Sequence, residues 1–311
     1  MTTSAARHDT VGFVGLGLMG MPMARNILRA GYRLVAHDLG RDKLDEVEAL
    51  GALAAHGAAD VARQAAIQIC MVETTEQVQS VVLGADGFAA GAHAGDIVVC
   101  MSTIDLIAVR DIHARLAERG IDFIDAPVAG MRENGGAATA SLKCFAGGAP
   151  AVLERARPVL ATMTSEITHF GPAGCGTAIK LINSMVMQSN RIVACEALAL
   201  GAKAGLDPAQ MVDLLGRTYA NSGALQYDAP RILARKFETN RLGTTLKDVQ
   251  LQVALGKALG MPMLMATQAQ QVYQMAQAMG IRDAAAVVQV YENWTGVKVT
   301  PVAASVSAQQ G

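Results

Sequence analysis

The stretch Gly15-Leu16-Gly17-Leu18-Met19-Gly20, GLGLMG, sets three glycines between an apolar run, Val11 to Val14, and a helical stretch, Met19 to Ala30, that Gly31 closes. A lone G-x-G-x-x-G is weak evidence, and its setting decides the reading. Strand, glycine turn and helix in that order form a phosphate cradle. Gly15 permits the tight turn, Gly17 lets backbone approach a pyrophosphate, and Gly20 lets helix pack close on strand. The helix N-terminus adds unpaired N–H groups and a positive dipole. Leu16, Leu18 and Met19 complete the loop that would line the pyrophosphate.

The next β-branched run, Tyr32 to Ala36, leads to Asp38, where a carboxylate can accept from a ribose 2′-hydroxyl. A 2′-phosphate at the same place would meet like charge, costing about 4 kcal/mol at ~4 Å and an effective dielectric of ~20. The expected dinucleotide is therefore NAD. Arg41, three residues on, can reach a phosphate, which leaves use of NADP open.

Outward from this unit, short apolar runs alternate with helical stretches through Ile67 to Val72, Ile97 to Met101 and Asp122 to Ile124. That rhythm predicts a parallel, doubly wound sheet of Rossmann type over residues 1–173. After Gly171-Pro172-Ala173-Gly174 the strand signals fade. Residues 174–311 read as an all-helical domain for substrate binding and oligomerisation, with Asp207-Pro208 as a helix start. The fold class is α/β, a Rossmann-type sheet followed by an all-α C-terminal domain.

Thr177 to Ala204 reads as one long helix with Ile179, Ile182, Val186 and Val193 at helical spacing. Lys180 and Asn183, at i and i+3, share a face. A lysine flanked by Ile179 and Leu181 either snorkels to the surface or sits partly desolvated with a lowered pKa.

Composition narrows the classes. The chain has 311 residues, 51% of them hydrophobic, and a formal net charge of -1 from 26 basic and 27 acidic residues, which leaves no electrostatic footprint for nucleic acid or an anionic membrane. The first ten residues lack the apolar region of a secretory signal, and no apolar run is long enough to span a bilayer. Cys70, Cys100, Cys144, Cys175 and Cys195 show neither a CxxC pair nor a zinc spacing, so a soluble, cytoplasmic, reduced chain with no metal is expected. The tail after Pro301 has a disorder-like composition.

Four separated segments, GFVGLGLMGMPMARNILRAG (12–31), DAPVAG (125–130), GCGTAIKLIN (174–183) and LKDVQL (246–251), resemble the signatures of the β-hydroxyacid dehydrogenases. That family includes 3-hydroxyisobutyrate dehydrogenase and tartronate semialdehyde reductase, with a C-terminal domain of the 6-phosphogluconate dehydrogenase type. The resemblance implies that Lys180 is the catalytic acid/base and that Asn183 lines the substrate site. It makes Ala129, Gly130 and Met131 the loop that holds the substrate carboxylate, and Thr103 and Lys247 cofactor contacts. Ala129 stands where the family's loop has serine and Met131 where it has a second glycine. Ser184 replaces a frequent second asparagine, and Glu73 stands where proline or a small residue is common. Backbone donors remain in the loop; the hydroxyl does not.

The activity implied is hydride transfer between NAD, or NADP, and a small 3-hydroxy acid or its semialdehyde. Two alternatives are an imine reductase, which usually lacks the lysine and the DAPVSG loop, and a catalytically silent NAD-binding protein. His37 and His169 read as satisfied histidines, and Asp248 as the charge partner that orients Lys247. Cys175, near a helix N-terminus, is a minor candidate for reactivity. The long apolar helices predict a homodimer or homotetramer.

Overall fold

The computed structural model describes residue 7 and residues 9–130, 136–238 and 242–302. Met131, most of the segment after it, and nearly all of the two chain ends lie outside the described residues. The chain forms two compact units, residues 1–181 and 182–311.

In the first unit β1 (Thr10–Val14) leads into α1 (Gly20–Arg29), and β2 (Arg33–His37) into α2 (Arg41–Glu48). There follow β3 (Leu53–Ala54), α3 (Ala58–Gln64), β4 (Ile67–Cys70), α4 (Thr75–Leu83), α5 (Phe88–Gly91), β5 (Ile97–Cys100), α6 (Leu106–Ala117) and β6 (Asp122–Asp125). These six strands form one parallel sheet in the order β3-β2-β1-β4-β5-β6. The order reverses between β1 and β4, where a doubly wound sheet opens its ligand crevice at the strands' carboxyl ends.

The strands read as continuous apolar runs because both faces are covered. Val11, Phe13, Ile97 and Val99 enter one core with Met23 and Ile27 of α1. Val14, Val98 and Cys100 enter the other with Val61 of α3 and Val109 and Ile112 of α6. The doubly wound sheet thus matches the sequence-based expectation.

A second, three-stranded sheet was not expected. β7 (Val128–Ala129) pairs antiparallel with β8 (Leu142–Ala146), which pairs parallel with β9 (Thr164–His169) beyond α7 (Pro150–Leu160).

The long helix, α8 (Cys175–Lys203), runs close to its expected bounds. The sequence division at 173/174 precedes it, whereas the compact units divide after Leu181. The physical reason lies in the first turn of α8, which is hydrogen-bonded to the end of β6.

The described part of the second unit is helical: α9 (Pro208–Gly216), α10 (Gly223–Leu233), α11 (Leu242–Ala258), α12 (Leu264–Ala278) and, after a 3₁₀ turn, α13 (Val288–Thr295). Asp207 caps α9 through the Ala209 N–H. The core gathers Ile192, Leu198, Leu246 and Tyr273. A buried polar chain runs through it. Arg191 donates to Asp228 at 2.6 Å, and Arg231 bridges Asp228 and Asp283 at 3.3 and 2.9 Å.

Candidate active site

The cradle is built by close backbone contacts. Gly15 has φ +101° and its N–H donates to the His37 carbonyl at 3.0 Å. A Cβ at Gly15 would overlap the Met71 carbonyl, and one at Gly20 would overlap the Gly15 carbonyl, so any side chain there breaks the turn. Beside Gly17 the space within 4 Å is open, which leaves its backbone approachable. A pyrophosphate fits this loop for that reason: two glycines serve the turn and the third leaves room for the ligand.

Asp38 follows β2 and closes the loop. Its Oδ2 accepts the Leu16 N–H at 2.7 Å, its Oδ1 accepts the Gly40 N–H at 2.8 Å, and Lys43 Nζ lies 3.1 Å from Oδ1. Burial opposes its ionisation, but the Gly40 and Leu16 donors and the Lys43 ammonium outweigh burial and hold the carboxyl below its ordinary range.

Arg41, the residue expected to reach a phosphate, is ion-paired along its own helix. As the first residue of α2 it reaches along its own helix to Asp45 and Glu48, both at 2.6 Å. The cation at Asp38 is Lys43.

Thr103 follows β5 at the carboxyl edge of the sheet. The neighbouring Ser102, buried, accepts the Val72 N–H at 2.9 Å and so ties the exits of β4 and β5 together. Glu73 is exposed, and its N–H joins the Gln77 side chain in the cap of α4.

Ala129 lies in β7 opposite Lys143 of β8. Gly130 follows it, and a Cβ there would press into the Leu142 side chain. The β6 strand that feeds this segment ends at Asp125, fully buried. Its Oδ1 accepts the Gly174 N–H at 2.7 Å and its Oδ2 the Thr177 N–H at 2.6 Å. Burial pushes the Asp125 carboxyl up, against the two N–H donors that favour its charge. Lys180 stands three residues past Thr177 on α8, within the same compact unit.

Asn183 follows on α8, and Lys247 lies on α11 in the second unit with its Nζ 3.1 Å from Asp248 Oδ1. His37 and His169 each meet a backbone carbonyl, of Ala55 at 3.0 Å and of Gly148 at 2.9 Å, as expected of structural histidines. Sequence reasoning assigned no role to Lys43, Ser102 or Asp125. For Asp125 the signal was present, as the first letter of DAPVAG.

The sheet order, the glycine cradle and a lysine-bearing helix after the sixth strand define a pyridine-nucleotide oxidoreductase. Two sequence profiles cover most of the chain: "NAD binding domain of 6-phosphogluconate dehydrogenase" over residues 10–171 and "NAD-binding of NADP-dependent 3-hydroxyisobutyrate dehydrogenase" over 174–291. The chain belongs to the β-hydroxyacid dehydrogenase family. It is 33% identical over 294 residues to 2-(hydroxymethyl)glutarate dehydrogenase of Eubacterium barkeri, covering 93% of this chain and 97% of that one. It is 37% identical over 220 residues to the NAD-dependent L-serine dehydrogenase of Pseudomonas aeruginosa, covering 71% and 73%. The solved structure of Mycobacterium tuberculosis 3-hydroxyisobutyrate dehydrogenase with L-serine superposes with a TM-score of 0.84 at 29% identity, over 90% of this chain and 98% of that one. An imine reductase from Streptomyces aurantiacus is more distant, with a TM-score of 0.61 at 21% identity, and shares the fold alone. The cofactor class is NAD(P). Among the described residues, no helix is long and apolar enough to cross a membrane.

Proposed function

We propose that the chain transfers a hydride between NAD(P) and a small 3-hydroxy acid or its semialdehyde, with Lys180 as general acid/base. The observation that carries this reading is the bonding of Gly174 and Thr177 to Asp125. It seats the turn before Lys180 against the strand that leads to Ala129 and Gly130. The compounds in the relatives' names, a hydroxymethyl dicarboxylate and L-serine, share a primary carbinol and a nearby carboxylate.

When bound, the nicotinamide supplies or accepts the hydride. In reduction the Lys180 ammonium donates its proton to the forming alkoxide; in oxidation the neutral amine takes the carbinol proton. Backbone around Ala129 and Gly130 receives the substrate carboxylate. Without a hydroxyl at Ala129, Asn183 carries more of the polar recognition. Asp38 holds the ribose, which favours NAD, while Lys43 makes NADP admissible. Lys247, oriented by Asp248, and Thr103 complete the cofactor contacts.

We further place the chain in the cytoplasm as a homodimer or homotetramer. The five cysteines are unpaired thiols, which suits a reducing compartment. On α8, Ile182, Val186, Val193 and Leu200 are exposed at spacings that stack along one side of the helix, a face suited to a second copy.

The test is a turnover screen, with NAD and NADP against 3-hydroxyisobutyrate, L-serine and 2-(hydroxymethyl)glutarate, and with NADH and NADPH against tartronate semialdehyde and cyclic imines. Turnover of at least one is expected. Tight NADH binding with no turnover of any would mark a silent binder, and reduction of cyclic imines alone would move the chain to the imine reductases.

A further inference from the structure

Asp125 sits at a structural joint. Three backbone segments meet there: the end of β6, the turn after β8 and the start of α8. Asp125 exchanges backbone hydrogen bonds with Gly147, at 3.1 Å from its N–H and 2.8 Å to its carbonyl. A Cβ on Gly176 would overlap the Phe145 carbonyl, so the first turn of α8 lies directly on the strand ends. A Cβ on Gly147 would press against Asp125 Oδ1 itself. The carboxylate is thus walled in by backbone, with each oxygen engaged by an N–H of the 174–177 turn.

Burial in such a place disfavours the charged carboxylate and pushes the Asp125 carboxyl up, against the two N–H donors. An ordinary cap on an exposed helix end carries no such cost, because water solvates the charge. The position of this one is informative. Four residues after Asp125 the chain reaches Ala129, and three residues after Thr177 it reaches Lys180, a rise of about 4.5 Å along the helix. One side chain therefore connects the segment that receives the substrate carboxylate to the helix that presents the ammonium.

We propose that Asp125 is the positioning residue of the reaction: by bonding both ends of the 174–177 turn it fixes Lys180 relative to the Ala129–Gly130 segment. This rests on the assignment of Lys180 as acid/base. Asp125 touches neither substrate nor cofactor in this role and acts through Lys180 alone. A misplacement of about 1 Å at a reacting group costs on the order of 10²-fold in rate, so a small tilt of the first turn is enough.

The test is a double-mutant cycle of Asp125→Asn and Lys180→Ala in the full-length protein with saturating NAD, using 3-hydroxyisobutyrate and L-serine as probes. The amide isostere keeps the volume but turns an NH₂ group toward one of the two N–H donors. Asp125→Asn should lower kcat at least tenfold while the NADH Kd stays within threefold. In the Lys180→Ala background it should change the residual rate less than twofold. Amide exchange over residues 174–180 should rise by more than exchange over the β1–β5 core, a readout independent of turnover. The proposal is overturned if Asp125→Asn stays within twofold of wild type, if the same fractional loss appears in both backgrounds, or if exchange over 174–180 is unchanged. A Lys180→Ala enzyme within threefold of wild type would instead sink the lysine assignment itself. If Asp125→Asn yields no folded protein, Asp125→Ser, which leaves room for a water to meet the two N–H groups, is read in the same way.

Discussion

Lys43 Nζ stands 3.1 Å from Asp38 Oδ1 while Asp38 Oδ2 accepts the Leu16 N–H at 2.7 Å, so one carboxylate is shared between the glycine loop and a lysine. On the proposed reading, the pair sets cofactor choice by opposing effects. Asp38 repels a 2′-phosphate, and Lys43 attracts it once Asp38 is gone. Asp38→Ser should weaken NAD and shift the NADP/NAD affinity ratio toward NADP by at least tenfold. Adding Lys43→Ala should remove most of that gain. Fluorescence titrations of the three proteins measure this, and a wild type that binds NADP more tightly than NAD would contradict the role given to Asp38.

Association is expected to run through α8. Val193 is 60% exposed and Leu200 69% exposed, seven residues apart on the side that also carries Val186. Val193→Glu combined with Leu200→Arg should give a monomer of about half the wild-type mass or less in light scattering, with the chain still folded by circular dichroism. A wild type that is monomeric at micromolar concentration refutes the dimer.

The glycine cradle and the parallel sheet were legible because strands covered on both faces are apolar throughout and glycine marks the turn between strand and helix. What escaped depends on partners far apart in the chain. Asp125 meets groups 49 and 52 residues away, and no local pattern reports that. Arg191 and Asp228, 37 residues apart, look in sequence like members of solvated helix faces, yet they pair in the core. The small sheet was missed for another reason. β7 is two residues long and β9, TSEITH, is largely polar, so neither gives an apolar run. Ile182, Val186 and Val193 were recognised as a helical apolar set, and it took the structure to show that this set faces outward.

Glu292 should control acid stability of the helical unit. Its buried carboxylate takes two bonds from Arg235, at 2.6 and 3.1 Å, and one from the Val299 N–H at 2.9 Å, with Lys298 at 3.3 Å. Burial raises its pKa, but these partners outweigh burial and leave it below the ordinary 4.5. The folded state therefore binds this proton less tightly than the unfolded chain. The stabilisation is present in full above the unfolded value and is lost as pH falls through the lower folded value. Glu292→Gln should cost about 3 kcal/mol at neutral pH, near the low end for breaking a buried pair because Arg235 is partly solvated. Urea melts should show the gap to wild type narrowing as pH falls below the ordinary carboxylate value and through the lower folded one, as wild-type Glu292 takes up its proton too. A gap that does not change with pH would remove Glu292 as its source.

Lys180→Ala should abolish turnover and leave cofactor binding nearly intact. The residue lies on α8, outside the cradle formed by Gly15, Gly17, Gly20 and Asp38, so its loss removes no pyrophosphate or ribose contact. Hydride transfer at a carbinol carbon needs a proton to leave or reach the adjoining oxygen, and a positioned acid/base group is typically worth about 10²- to 10⁴-fold in rate. The expected kcat loss is of that size, with the NADH Kd within threefold of wild type. Lysine is mostly protonated at neutral pH unless its surroundings lower its pKa of ~10.4. The oxidation rate in wild type should therefore rise with pH as the neutral amine forms, and that limb should vanish in Lys180→Ala. A small primary amine added to the mutant should restore part of the rate, because it can enter the space left by the side chain and carry the same proton. A mutant within threefold of wild-type kcat would remove Lys180 from the chemistry, since the expected loss is about 10²- to 10⁴-fold.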